Sequence, residues 1–111
     1  MKTNKAMQYK TLAYQLVTVI TAPTTLTIPT DPTFKIREII LTAESVTGAT
    51  NNALIRFTAD GITDPDSNVG VPMYNGDTRS LESLADAQNL RMYCIEGNNQ
   101  IVHVEYLGLD Q

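Results

Sequence analysis

Cys94 and His103 are the only cysteine and the only histidine in the chain, so they are its single thiol–imidazole pair. A two-residue turn at Asn98-Asn99 would pair Gly97 with Gln100 and set Cys94 opposite His103 across a hairpin. A shift of the turn by one residue removes that pairing. A cysteine enzyme also needs an oxyanion hole and a substrate cleft, and no motif predicts either. We therefore interpret Cys94 as a packing residue and expect no catalytic site and no enzyme.

An acidic loop is the part of the chain that comes nearest to a metal site. Three alternate residues in it reproduce the opening D-x-D-x-N of a calcium loop, in which successive oxygen ligands converge on one cation. The glycine and the final glutamate of that motif are replaced here by Val69 and Asn75. Acidic loops rich in proline, glycine and asparagine also form ordinary turns. We expect no cofactor and no metal, and the one candidate ligand set is Asp60, Asp64, Asp66 and Asn68.

The balance of charge limits the partners of the chain. Its net charge is −4, with eight basic and twelve acidic residues and an isoelectric point near 4.7. Nucleic-acid binding needs a basic stripe that releases phosphate counterions, and the sequence has none, so we expect no nucleic-acid partner. Three lysines gather near the start of the chain. We interpret residues 1–8 as an N-terminal arm and residues 9–111 as a single domain of ordinary size.

Membrane insertion and secretion are also not expected from the sequence. No run of eighteen apolar residues occurs that would predict a spanning helix. The apolar segment 12–22 follows three lysines, as in a signal peptide, but Tyr14, Gln15, Thr18 and Thr21 interrupt it. Its alternation of apolar and polar residues predicts a strand instead.

The chain is rich in β-branched residues, which lose side-chain freedom in helices and pack well on pleated sheets. Alternation and turn residues predict eight strands and one helical turn. The strands are predicted at 9–21, 25–28, 34–43, 53–59, 72–74, 79–84, 90–95 and 101–107, and the helical turn at 84–89. Short antiparallel strands in one small domain bury their apolar faces by forming two packed layers. We predict an all-β fold, a two-sheet antiparallel sandwich that is jelly-roll-like and has about eight strands.

Two details of this prediction concern strand faces and strand partners. In the strand at 34–43, strict alternation places Ile36 and Ile40 on one face, and Ile39 and Leu41 on the other. The last two predicted strands are expected to pair as a terminal hairpin.

The second half of the chain resembles a known family of virion proteins. A strand runs into an Asp-Gly turn and a Pro/Asp/Asn loop, short strands follow, and the chain closes on a V-x-V-x-Y strand. The segments that carry the resemblance are Ile55–Gly61, Val71–Met73, Gly76–Thr78, Leu81–Leu84, Leu90–Gly97 and Ile101–Tyr106. They resemble the small jelly-roll capsid decoration proteins, also called cement or stapling proteins, of tailed bacteriophages such as the epsilon group of Salmonella-infecting podoviruses.

This resemblance implies a structural virion protein that binds the outer capsid surface and clamps neighbouring capsomers, which stabilises the DNA-filled head. The implied partner is the major capsid protein, and the implied location is the outside of the virion after synthesis in the host cytoplasm. Pairing between edge strands predicts a homo-oligomer, with a dimer favoured. The basic arm and a proline-rich edge are the predicted protein interface, with the residues Lys2, Lys5, Tyr9, Lys10, Pro29, Thr30 and Pro32.

Two other functions remain open at this point. Jelly rolls also serve lectins, so a carbohydrate- or receptor-binding module is one alternative. Tyr74, beside the acidic loop, is the aromatic platform that such a module would use, although the chain has no tryptophan. A low-copy adaptor at the phage neck or tail is the other alternative, and the number of copies per virion separates it from a decoration protein.

Overall fold

The computed structural model describes residues 9–29, 36–48, 50–97 and 99–109. In these ranges the chain forms seven strands and one short helix. The strands are β1 (Lys10–Val19), β2 (Ile36–Glu44), β3 (Ile55–Thr58), β4 (Val71–Met73), β5 (Thr78–Leu81), β6 (Arg91–Cys94) and β7 (Gln100–Gly108). The helix, α1 (Leu84–Asn89), lies between β5 and β6. Every predicted strand except 25–28 has a counterpart.

The strands form two antiparallel sheets, one in the order β1-β7-β2-β5 and the other in the order β4-β3-β6. An isolated bridge between Thr24 and Met92 adds one residue pair beyond β6, where an eighth strand would lie. The chain changes sheet after β2, β4, β5 and β6, so each layer combines early and late strands as a jelly roll does. The predicted all-β, two-sheet, jelly-roll-like sandwich is confirmed.

The predicted terminal hairpin is wrong, because β6 and β7 belong to different sheets. β6 pairs with β3, whereas β7 lies between β1 and β2 and pairs with both. The short connection after Cys94 therefore crosses from one layer to the other. Alternation along each strand shows which residues face inward, but it carries no information about which strand lies alongside.

A bulge in β2 overturns the predicted assignment of its faces. The register with β7 shifts between Ile36 and Glu38, so Arg37 is an additional residue with no partner position on β7. As a result Ile36 and Ile39, three residues apart, are both buried, together with Leu41. Ile40 lies on the other face and is only half-buried. A bulge restarts the alternation, which is why strict alternation failed here.

Helix α1 occupies the predicted helical turn. The Ser83 hydroxyl accepts a 3.1 Å hydrogen bond from the backbone N–H of Asp86, which caps the first turn. Ala87 is the helical residue that faces the core, and the chain returns to an extended conformation at the fully buried Leu90. No helix in the described ranges is long and apolar enough to cross a membrane.

The core between the sheets is almost entirely aliphatic. The inward residues of β2 and β7 meet those of β3 and β6, and the fully buried side chains include Ile39, Val102, Ile55 and Met92. Tyr106 of β7 is also fully buried, and desolvation raises the pKa of its hydroxyl from 10.0 to about 12. The packed core makes the sandwich a rigid support for its outer surfaces.

Candidate protein interface

The thiol and the imidazole considered as a catalytic pair lie on different sheets. Cys94 pairs with Ile55 and is buried, with its Sγ 3.4 Å from the carbonyl oxygen of Glu96. Burial raises the pKa of this thiol, which disfavours the nucleophilic thiolate. His103 lies on the solvent side of β7, opposite Leu16 of β1. The facing Cys94–His103 pair is therefore wrong, and the interpretation of Cys94 as a packing residue agrees with its burial.

The carboxylates of the acidic loop hold the loop itself together. Both oxygens of Asp60 accept hydrogen bonds, from the backbone N–H groups of Ile62 and Thr63 and from the Thr63 hydroxyl at 2.7 Å. The Thr63 hydroxyl above all lowers the pKa of Asp60 to about 2. Asp66 accepts from the backbone N–H groups of Asn68 and Val69, both at 2.8 Å. Such bonds are the turn chemistry expected of aspartate in loops.

Two arginines attach this loop to the three-stranded sheet. Arg91 of β6 forms a 2.7 Å ion pair with Asp64 and donates to the carbonyl oxygens of Gly61 and Ile62. Arg56 of β3 donates to the carbonyl oxygen of Gly70 at 2.8 Å. In the described part of the chain, no three histidine, cysteine or acidic side chains come together as metal ligands. Asp60, Asp64 and Asp66 of the candidate set, which also includes Asn68, therefore do not form a group of three carboxylates that could hold a metal.

The predicted protein interface is described only in part. Lys2, Lys5, Thr30 and Pro32 lie outside the described residues. Lys10 is exposed at the start of β1, where it pairs with Gly108. Tyr9 is exposed and lines an open pocket of about 320 Å³ with Arg37, Glu38 and Glu82. Pro29 is half-buried.

The solvent side of the four-stranded sheet, here called the outer face, spans all four strands of that sheet. The register of the sheet and the exposure of its side chains define three rows across the strands. The rows are Tyr14, Glu105, Ile40 and Ser80; Leu16, His103, Thr42 and Thr78; and Thr18, Ile101 and Glu44. Apolar and polar groups are mixed over this face, and its aromatic member is Tyr14, a residue type enriched at protein interfaces.

Three side chains in contact with one another, Tyr14, His103 and Glu44, cross the outer face from β1 to β2. The Tyr14 hydroxyl lies 2.6 Å from Nδ1 of His103, and the two rings stack with their centroids 5.9 Å apart. Nε2 of His103 lies 2.6 Å from a carboxylate oxygen of Glu44. These contacts hold the imidazole in one orientation between β1 and β2. The group lies on an open sheet surface, without a substrate cleft around it.

Strand β1 supplies a second exposed feature, because it is one of the two edge strands of the four-stranded sheet, with β5 at the other edge. It is ten residues long, pairs on one side with β7, and has no partner strand on its other side among the described residues. No charged residue occurs between Thr11 and Val19, and Tyr14 and Leu16 are both more than half exposed. Sheet edges usually carry charges or prolines that prevent pairing with another chain. On β1 the described protection is confined to the start of the strand, where Lys10 is charged and a bulge lies between Thr11 and Ala13.

Sequence reasoning missed the outer face because its members come from four separate strands. Alternation along β1 and β7 does indicate that Tyr14, Leu16, His103 and Glu105 point away from the core. Only the register shows that these residues are cross-strand neighbours.

The fold and these two surfaces define the class of the protein as a jelly-roll-like β-sandwich. No protein-family model, no curated protein and no solved structure matches the chain.

Proposed function

We propose that this chain is a structural virion protein that binds the outer surface of a capsid and clamps neighbouring capsomers together. The observation that carries this proposal is a packed sandwich whose described residues leave one sheet face and one ten-residue edge open to other proteins. The resemblance of the second half of the chain to phage decoration proteins supports the same function. The partner in this proposal is the major capsid protein.

The physical mechanism is multivalent binding. A copy that contacts two capsomers makes its second contact at a high effective concentration, because the first contact already holds it in place. A ligand that binds one state of a system stabilises that state by mass action. A protein that binds the intact shell but not separated capsomers therefore stabilises the shell. Many copies acting together then oppose the outward pressure of packaged DNA.

The exposed edge of β1 supports a homodimer as part of this proposal. Two copies that pair their β1 strands antiparallel, about a two-fold axis, would join two four-stranded sheets into one. No like charges would meet, because the strand is uncharged from Thr11 to Val19. Leu16→Lys places a charge on this edge and is expected to convert a dimer into a monomer in sedimentation-velocity experiments. A wild-type chain that sediments as a monomer at all concentrations would remove the dimer from the proposal.

Binding to shells tests the proposed function. Expanded shells assembled from the major capsid protein alone are mixed with the purified chain, and the pellet after sedimentation is quantified. The chain is expected to saturate the shells at a simple ratio to capsid subunits and to raise their disruption temperature. Failure to sediment with the shells at any concentration would reject the proposal.

A further inference from the structure

Glu105 is the one acidic side chain of the outer face that has no partner among the described residues. Glu44 contacts His103 at 2.6 Å, and Glu38, on the adjoining part of β2, accepts a 2.5 Å hydrogen bond from Ser80. Glu105 is exposed on β7, between Tyr14 of β1 and Ile40 of β2. A carboxylate therefore lies in the middle of the sheet face, between an aromatic ring and an aliphatic side chain.

This arrangement fits a guanidinium group from another protein. Side chains directly opposite each other on antiparallel strands have Cβ atoms about 4.5–5.5 Å apart. Tyr14 is 55% exposed although its ring stacks on His103, so one ligand group can contact Glu105 and the exposed part of the Tyr14 ring. A guanidinium binds a carboxylate through two parallel hydrogen bonds and stacks on an aromatic ring. A lysine ammonium forms neither the two-bond contact nor the planar stack.

The charges around this position also favour a cationic partner. Glu38 and Glu44 lie on the neighbouring strand β2, and together with Glu105 they outnumber Arg37, the cation that lines a pocket beside Glu38. Arg79 of β5 does not offset them, because its guanidinium covers the Phe57 ring at the edge of the sandwich, 5.5 Å from the ring centroid. Charge complementarity thus selects a basic protein surface as the occupant.

We propose that the outer face docks an arginine-bearing surface of the major capsid protein, with Glu105 as the carboxylate and Tyr14 as the stacking ring. This inference rests on the proposed function and adds to it the face and the chemistry of the contact. Glu105 lies near the centre of the docked surface, where charge pairs are desolvated and contribute most to affinity.

Substitutions at Glu105 and Tyr14 test the inference in the shell-binding experiment. Glu105→Lys is expected to weaken binding at least about tenfold. Asp86→Lys is the matched control, because it makes the same charge change at an exposed site on α1, and it is expected to bind within about twofold of wild type. Tyr14→Ala is expected to weaken binding, while Tyr14→Phe, which keeps the ring, is expected to bind as wild type does.

The outcomes separate the inference from the proposed function. If the wild-type chain binds the shells and Glu105→Lys binds them equally well, the inference is overturned and the proposed function stands. Equal losses for Glu105→Lys and Asp86→Lys would also overturn it, since they would show a general charge effect. No binding by the wild-type chain would overturn both. Circular dichroism of each variant verifies the fold, and Glu105→Gln, which removes the charge at nearly constant size, is expected to show an intermediate loss.

Discussion

The hydroxyl of the buried Tyr106 donates a 2.6 Å hydrogen bond to the side-chain carbonyl of Gln15, across the pair of strands β7 and β1. The amide nitrogen of Gln15 in turn donates to the backbone carbonyl of Thr27. One buried hydroxyl is thereby linked, through Gln15, to the backbone at Thr27 in the connection between β1 and β2. Since a buried polar group without a partner is costly, this connection ties β1 to β7 and to the residues around Thr27.

Tyr106→Phe is expected to lower the free energy of unfolding by about 1–2 kcal/mol, because the Gln15 carbonyl loses its buried donor. Tyr14→Phe is the matched control. It removes a hydroxyl from an exposed tyrosine on the same pair of strands and is expected to cost less than about 0.5 kcal/mol. Urea denaturation of both variants measures the difference. Equal losses would contradict a structural role for the Tyr106–Gln15 bond.

Cys94 is expected to react with thiol reagents only when the chain unfolds. Its side chain is buried, and its raised pKa keeps it protonated at neutral pH. Labelling with a maleimide is expected to be slow in native buffer and to accelerate in urea in step with unfolding. Complete labelling within seconds in native buffer would show that the thiol is accessible, contrary to its place in the core.

Asp60 is expected to titrate with a midpoint near pH 2 in the folded chain, instead of its ordinary 3.8. Because folding lowers this pKa, the contribution of Asp60 to stability is present above about pH 4 and is lost as the pH falls toward 2. The carboxyl carbon shift in NMR spectra follows the titration directly. Thr63→Val removes the hydroxyl that does most to lower the pKa of Asp60, and it is expected to move the midpoint toward 3.8. A midpoint near 3.8 in the wild-type chain would contradict the loop geometry.

Substituting Gly70 and Gly48 by alanine compares the loss of stability at a crowded position with the loss at an open one. Both have positive φ angles, +118° and +100°, so alanine at either position is strained by about 1–2 kcal/mol. A Cβ atom at Gly70 would lie 3.0 Å from the carbonyl oxygen of Phe57, whereas at Gly48 it would meet no atom within 4 Å. Gly70→Ala is therefore expected to lose roughly 1–3 kcal/mol more than Gly48→Ala in thermal or urea unfolding. Equal losses would show that the loop can move away from β3.

The fold class could be predicted from the sequence because local signals carry it. Alternation located seven strands, and the helical spacing of Leu81, Leu84 and Ala85 located α1. The prediction of a strand at 25–28 was wrong, because the one bridge in this region is made by Thr24, just before the segment. Apolar alternation predicts an extended conformation, but pairing depends on whether a neighbouring strand lies within reach.

The candidate site could not be predicted in the same way. Glu105 and Tyr14 are separated by most of the chain and meet only through the register of β1 with β7. The bulge at Arg37, which decides the faces of β2, has no glycine or proline to mark it. The prediction that Cys94 faces His103 was wrong for a related reason. The short connection between β6 and β7 joins the two sheets and does not form a hairpin within one sheet.

The proposed function is tested most directly by the number of copies of this chain in purified virus particles. Quantitative mass spectrometry against the major capsid protein gives this number. A decoration protein is expected at about one copy per capsid subunit, or at a simple fraction of that ratio. A handful of copies per particle would indicate an adaptor at the neck or tail. Absence of the chain from the particles would contradict a virion role and favour a carbohydrate- or receptor-binding module.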